Sequence, residues 1–167
     1  MPSSRENLVI ESGQSMASRI HDNLWMGNAP PVGDSVARHF QGLVLSAKEY
    51  QPVECFFGLE VMGVPLNDDG TPMTPKEKTL AVKAAGRVIR WLNDGKSVLV
   101  TCWAGRNRSG IIAALALCRG PAGLTPTAAV KMIRKARGDH AMRNEYFLRF
   151  LYGYCGSNSA RSGIRSR

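Results

Sequence analysis

Histidine and aromatic residues are scarce in this chain of 167 residues, acidic residues are outnumbered, and long apolar runs are missing. The three histidines, His21, His39 and His140, stand far apart and read as surface residues. Four cysteines, Cys55, Cys102, Cys118 and Cys155, are scattered, with neither metal-ligand spacing nor a disulfide framework. No apolar run approaches a membrane span, and the first residues lack the basic-then-apolar order of a signal peptide. Lys and Arg number 22 against 13 Asp and Glu, a net charge of +9. That excess suits acidic partners (phosphorylated protein, phosphoinositide or nucleic acid), with a simple aid to solubility as the competing reading. What remains, 44% hydrophobic and 21% charged residues, is the ordinary balance of a one-domain globular protein.

One stretch carries chemistry. Val98-Leu99-Val100-Thr101 reads as a short buried strand, and Ile111-Ile112-Ala113-Ala114-Leu115 as part of a buried helix. Between them runs Cys102-Trp103-Ala104-Gly105-Arg106-Asn107-Arg108-Ser109-Gly110. A loop that joins a strand end to a helix start aims backbone N–H groups at one point, and the helix adds partial positive charge there. Such a cradle binds anions, and its field favours a thiolate at its entrance, where Cys102 stands. Arg108 is spaced to fold back and hold two phosphate oxygens bidentately. Gly105 and Gly110 permit backbone angles and close approaches that a Cβ would hinder.

Cys102-x5-Arg108-Ser109, with a buried strand before it and a helix behind, resembles the signature loop of cysteine-dependent protein tyrosine phosphatases. The chain as a whole is similar to their small dual-specificity branch. The resemblance implies Cys102 as nucleophile, Arg108 as phosphate ligand, and Ser109 as the hydroxyl that stabilises the sulfur as it leaves. The loop residues Trp103, Ala104, Gly105, Arg106, Asn107 and Gly110 would form the substrate cradle. Val64-Pro65-Leu66-Asn67-Asp68 is similar to the family's general-acid loop, which makes Asp68 the acid and Asp69 the understudy. Asn-Asp-Asp-Gly is also plain turn chemistry. Asn144 matches a position whose amide braces the signature loop, with an ordinary helix N-cap as the competing reading. The family places His before the cysteine; here Thr101 can hydrogen-bond but supplies no charge. Arg106 resembles relatives that act on phospholipid head groups, and Asn107 those that act on RNA 5′ ends. Trp103 would either line the mouth of the site or pack on its own domain. No metal and no cofactor are implied, and a thiolate nucleophile suits a reducing cytoplasm.

Along the chain, residues 1–17 read as a loose arm and residues 18–155 as the catalytic domain. Gly- and Ser-rich residues 156–167, ending Arg161, Arg165 and Arg167, read as a disordered basic tail. Ser18 to Asn28 resembles the family's first strand. Val32 to Phe40 reads as a short helix, and Gly42 to Ser46 and Leu59 to Val64 as strands, the latter ended by Pro65. Helices are expected over 75–93, after the Thr74-Pro75 cap, then over about 109–118, from Thr125-Pro126 to before Gly138, and over about 144–154. The alternation predicts an α/β fold, a central and mostly parallel sheet with helices on both faces, like that of the dual-specificity phosphatases. The site would lie at the carboxyl ends of the strands.

Overall fold

The computed structural model describes residues 6–11, 15–49 and 52–164, with side chains described through Gly156. Six strands form one sheet: β1 (Asn7–Ile10), β2 (Ser15–His21), β3 (Leu24–Gly27), β4 (Gly42–Ala47), β5 (Glu60–Leu66) and β6 (Val98–Thr101). Their order is β1-β2-β3-β6-β4-β5. The pairs β3·β6, β6·β4 and β4·β5 are parallel, and β1·β2 and β2·β3 are antiparallel. Among the described residues four helices complete the fold: α1 (Pro75–Asn93), α2 (Arg108–Arg119), α3 (Pro126–Arg137) and α4 (Glu145–Ile164). Among the described residues no helix is long and apolar enough to cross a membrane.

The period-two alternation of the central strands splits the interior into two cores. Val44, Val98 and Val100 face one way, into a cluster that takes in residues from α1, α2, α3 and α4. Leu43, Leu45 and Leu99 face the other way, against Ile10, Val36, Phe40 and Phe56. The helices therefore cover one face, not both. The other face is closed by loops holding the 3-10 turns Val36–Arg38 and Val53–Cys55. Val32 to Phe40 thus contributes a single 3-10 turn and not a helix. The central element is α2, whose residues Ser109 to Leu117 are all buried.

Several boundaries differ from expectation for identifiable reasons. The loose arm expected over 1–17 contains β1 and the start of β2, with Ile10 buried at 2% exposure. Ser18 to Asn28 is two strands joined by a turn, because Asp22 takes φ 47°, the left-handed conformation a two-residue hairpin needs. β5 continues through Pro65 to Leu66. It lies at the sheet edge, where a missing N–H costs no ladder bond on the outer side. The tail expected to be disordered from 156 is helical as far as Ile164, and the remaining residues lie outside the described ones. Helix α1 begins as expected at Thr74-Pro75 and closes a full capping box, with Glu77 N–H on Thr74 Oγ1 (3.1 Å) and Thr74 N–H on Glu77 Oε1 (3.2 Å).

The consequence for function is positional. The register pairs Gly27 with Thr101, Thr101 with Leu45, and Ala47 with Leu66, so four parallel strands end together. The loops after β3, β4, β5 and β6 leave from that one edge.

Because β1 pairs with β2 and buries Ile10, deleting residues 1–11 strips the cover from β2 and from the second core. Urea denaturation should then show about 3 kcal/mol lost, mainly from Ile10 and Leu8. A loose arm would leave the midpoint unchanged.

Candidate active site

Cys102 follows the last residue of β6 and is 3% exposed, at the floor of the loop that ends at Arg108. The loop carbonyls are all tied outward. Trp103 O accepts from Ala29 N (3.1 Å), Arg106 O from Met142 N (3.3 Å) and Asn107 O from Ile111 N (2.9 Å). Ala104 O and Gly105 O accept from Arg137, Nη2 at 3.2 Å and Nε at 2.9 Å. Successive peptide dipoles are thereby fixed with their N–H ends free. Among the described residues, the backbone N–H groups of Trp103 through Arg108 meet no acceptor. A run of unpartnered amides leading into a helix start is a nest for an anion.

Arg108, whose side chain is 11% exposed, is oriented from one end only. Its Nη1 donates to Glu49 Oε2 (3.0 Å) and Leu66 O (3.3 Å). Its Nε is buried and has no acceptor among the described residues. An unsatisfied buried guanidinium N–H costs on the order of 1–3 kcal/mol or more, a cost that an oxyanion at this edge removes. The Glu49 carboxyl lies below its ordinary range, held there first by its own backbone amide and then by Arg108.

Ser109 Oγ lies 3.2 Å from Cys102 Sγ in a buried contact. Thr101 does not reach the loop as support. Its Oγ1 donates to Val44 O (2.8 Å), and its own carbonyl accepts from Ser46 Oγ, so it ties β6 to β4. Trp103 stands at the rim with 63% of its surface exposed and is not packed on its own domain. Arg106 is exposed and makes no ion pair among the described residues.

Asp68 and Asp69 part company. Asp69 Oδ1 accepts from the Thr71 amide (3.1 Å) and hydroxyl, a turn role that lowers its carboxyl from the ordinary value. Asp68 reaches across to the loop. Its Oδ2 accepts from Asn107 Nδ2 (3.1 Å) and its Oδ1 from Asn144 Nδ2 (2.7 Å). Each oxygen keeps a lone pair, so the carboxyl is positioned in either protonation state. The Asn144 side-chain amide thus goes to Asp68 and not to the signature loop, and the residue is also the N-cap of the last helix. Its Oδ1 caps α4 by accepting from Tyr146 N and Phe147 N, while its own N–H donates to Asn107 Oδ1 (3.2 Å).

Three functional neighbours escape a linear reading. Arg137 also donates to Ser18 Oγ (3.0 Å), which bridges the loop to β2. Burial lowers Arg137 from its ordinary value, while attraction to Cys102 opposes that shift. A guanidinium thus stands within electrostatic reach of Cys102, where Thr101 supplies no charge. Glu77 Oε2 accepts from Asn67 N (2.9 Å), anchoring the residue before Asp68 to the start of α1. The Thr74-x-x-Glu77 pattern is a signal for that residue; nothing local marks Arg137 or Glu49. The two glycines are explained by contact. At Gly105, φ is +67°, and a Cβ would lie 2.5 Å from the Gly27 carbonyl carbon. At Gly110 a Cβ would run into the Met142 sulfur.

No family model and no curated protein sequence matches the chain. Solved structures do. Human DUSP28 aligns at 22% identity with TM-score 0.70, over 86% of this chain and 95% of that one. PTPMT1 in complex with PI(5)P aligns at 21% identity with TM-score 0.71, over 87% and 98%. DUSP15 aligns at 20% identity with TM-score 0.68, over 90% and 96%. The chain has the fold of the small dual-specificity, cysteine-dependent phosphatases.

Arg137→Leu removes the outward ties on Ala104 and Gly105 together. It should weaken orthovanadate binding by roughly 10- to 100-fold while the protein stays folded, because a loop displaced by about 1 Å loses its convergence. Unchanged vanadate affinity in a folded variant would rule out the clamp.

Proposed function

We propose that this protein is a cysteine-dependent phosphatase that hydrolyses phosphomonoesters on proteins, phosphotyrosine first and phosphoserine or phosphothreonine as well. The observation that carries this reading is the donor set around one thiol. Among the described residues, amides from Trp103 to Arg108 and the Nε edge of Arg108 lack acceptors beside Cys102.

In the first step the Cys102 sulfur attacks phosphorus and the bond to the leaving oxygen breaks. The amides and Arg108 stabilise the charge on the equatorial oxygens. Asp68, held by Asn107 and Asn144, gives its proton to the departing oxygen. In the second step Asp68 takes a proton from water, and the oxygen attacks phosphorus as the P–S bond breaks. Ser109, 3.2 Å from the sulfur, donates to the departing thiolate. Because the nucleophile must stay reduced, the cytoplasm is the proposed location.

One observation favours a second substrate class. Arg106 is an exposed cation at the rim with no ion pair among the described residues, on a chain of net charge +9, which suits a substrate with more than one phosphate. Phosphate release measured side by side on phosphopeptides, phosphoinositides and 5′-triphosphorylated RNA separates the classes. The primary reading predicts fastest release from phosphopeptides.

With chelator present, wild type should hydrolyse a small aryl phosphate and Cys102→Ser should be inactive. Asp68→Asn should be slower by roughly 10²- to 10³-fold, while Asp69→Asn stays near wild type. A wild type that binds phosphate yet turns over nothing would make the loop a binding site and refute the assignment.

A further inference from the structure

Asn107 belongs by spacing to the loop around Cys102, yet its side-chain contacts lie outside the cradle. Its Oδ1 accepts from two backbone N–H groups, Arg143 at 2.8 Å and Asn144 at 3.2 Å. Those donors fix the amide, because the flipped orientation would set N–H against N–H. Its Nδ2 is thereby aimed at Asp68 Oδ2, 3.1 Å away. Asn144 is fixed in the same manner. Its Oδ1 takes the N–H groups of Tyr146 (3.0 Å) and Phe147 (3.2 Å), which leaves Nδ2 for Asp68 Oδ1 at 2.7 Å. Each oxygen of the Asp68 carboxyl therefore faces an amide nitrogen that can only donate.

The backbone leading to the carboxyl is held as well. Leu66 O accepts from Arg108 Nη1 (3.3 Å), and Asn67 N–H donates to Glu77 Oε2 (2.9 Å). Residues 66 to 68 are thus anchored in turn to the starts of α2, α1 and α4. The charged groups nearby are engaged elsewhere. Asp69 binds Thr71 and lies within the field of Lys48, Glu49 pairs with Arg108, and Arg143 Nε donates to Asp139 O. Among the described residues the Asp68 carboxyl has these two neutral amides as its hydrogen-bond partners and makes no ion pair.

We propose that Asn107 is a positioning residue for leaving-group protonation, holding Asp68 against the Cys102 loop so that the proton on its carboxyl meets the departing oxygen. The inference deepens the phosphatase reading and rests on it. With one N–H on each oxygen, the transferable proton sits on a remaining lone pair, and the acid needs no search as the P–O bond breaks. A residue serving the cradle alone would change phosphate affinity. One that places the acid changes how rate depends on the leaving group and on pH.

The test compares the full chain as wild type, Asn107→Ala and Asn107→Asp on para-nitrophenyl phosphate and phenyl phosphate, with kcat/KM followed against pH. Phenoxide is the poorer leaving group and needs the proton more. Asn107→Ala should therefore lose about tenfold more rate on phenyl phosphate than on para-nitrophenyl phosphate. Asn107→Asp keeps an acceptor for Arg143 and Asn144 but sets a second carboxyl in contact with Asp68 Oδ2. Two carboxyls that close hold a shared proton to higher pH, so the falling limb of kcat/KM should move up by about one pH unit. Carbon NMR of the Asp68 carboxyl should show the same upward movement. Equal losses on both esters, with limb and NMR titration unmoved, would overturn the inference and leave the phosphatase reading intact. A wild type that turns over neither ester fails the phosphatase reading itself, and the protonation role falls with it. Wild-type turnover alone tells the two failures apart.

Discussion

The structure depends on holding a short run of backbone against its own preference. Peptide N–H and C=O groups ordinarily find partners in helices or strands, yet the loop amides from Trp103 to Arg108 have none among the described residues. This holds because each carbonyl from Trp103 to Asn107 is anchored from outside. Ala29 at the end of β3, Arg137 at the end of α3, Met142 in the following turn and Ile111 in α2 supply the donors. The rest of the fold places those donors. Parallel strands ending at one edge bring Ala29 beside Trp103, and the packing of α3 on β2 brings Arg137 and Ser18 together.

A second layer ties the carboxylate to the same loop. Asn107 offers its amide nitrogen to Asp68 and its amide oxygen to the backbone of Arg143 and Asn144, so one side chain links the Cys102 loop, the Asp68 loop and the start of α4. Glu77 works from the other side by holding Asn67 at the head of α1. The site is thereby triangulated by the starts of three helices: α1, α2 and α4.

Much of this was legible in the sequence, and the reason is locality. Cys102, Arg108 and Ser109 fall within one strand–loop–helix unit, where buried apolar runs and the x5 spacing fix what the residues can do. The Thr-Pro pairs at 74–75 and 125–126 mark helix starts because cap and N1 chemistry is local. Asp68 was distinguishable from Asp69 only by family resemblance, since in the chain both are turn residues; the contacts to Asn107 and Asn144 separate them. Arg137 and Glu49 were illegible because their roles come from long-range placement, 33 residues from Ala104 in one case and 59 from Arg108 in the other. The N-terminal strands were missed because β1 is half exposed and lacks clean alternation, and the hairpin because Asp22-Asn23 is a weaker turn signal than Asn-Gly. The even coverage by helices was a wrong inference from alternation. Among the described residues only the β5-to-β6 connection carries a crossover helix, and the β3-to-β4 and β4-to-β5 links close the opposite face with 3-10 turns.

The central claim is that the outward-tied loop presents a thiol and an anion cradle to the same phosphorus atom. Its most direct test is to quench Asp68→Asn with acid during turnover of an aryl phosphate and map the phosphate by peptide mass spectrometry. The account predicts phosphate on Cys102 alone, lost when Cys102 is changed to Ser. Phosphate on another residue, or turnover with none bound to the protein, would contradict it.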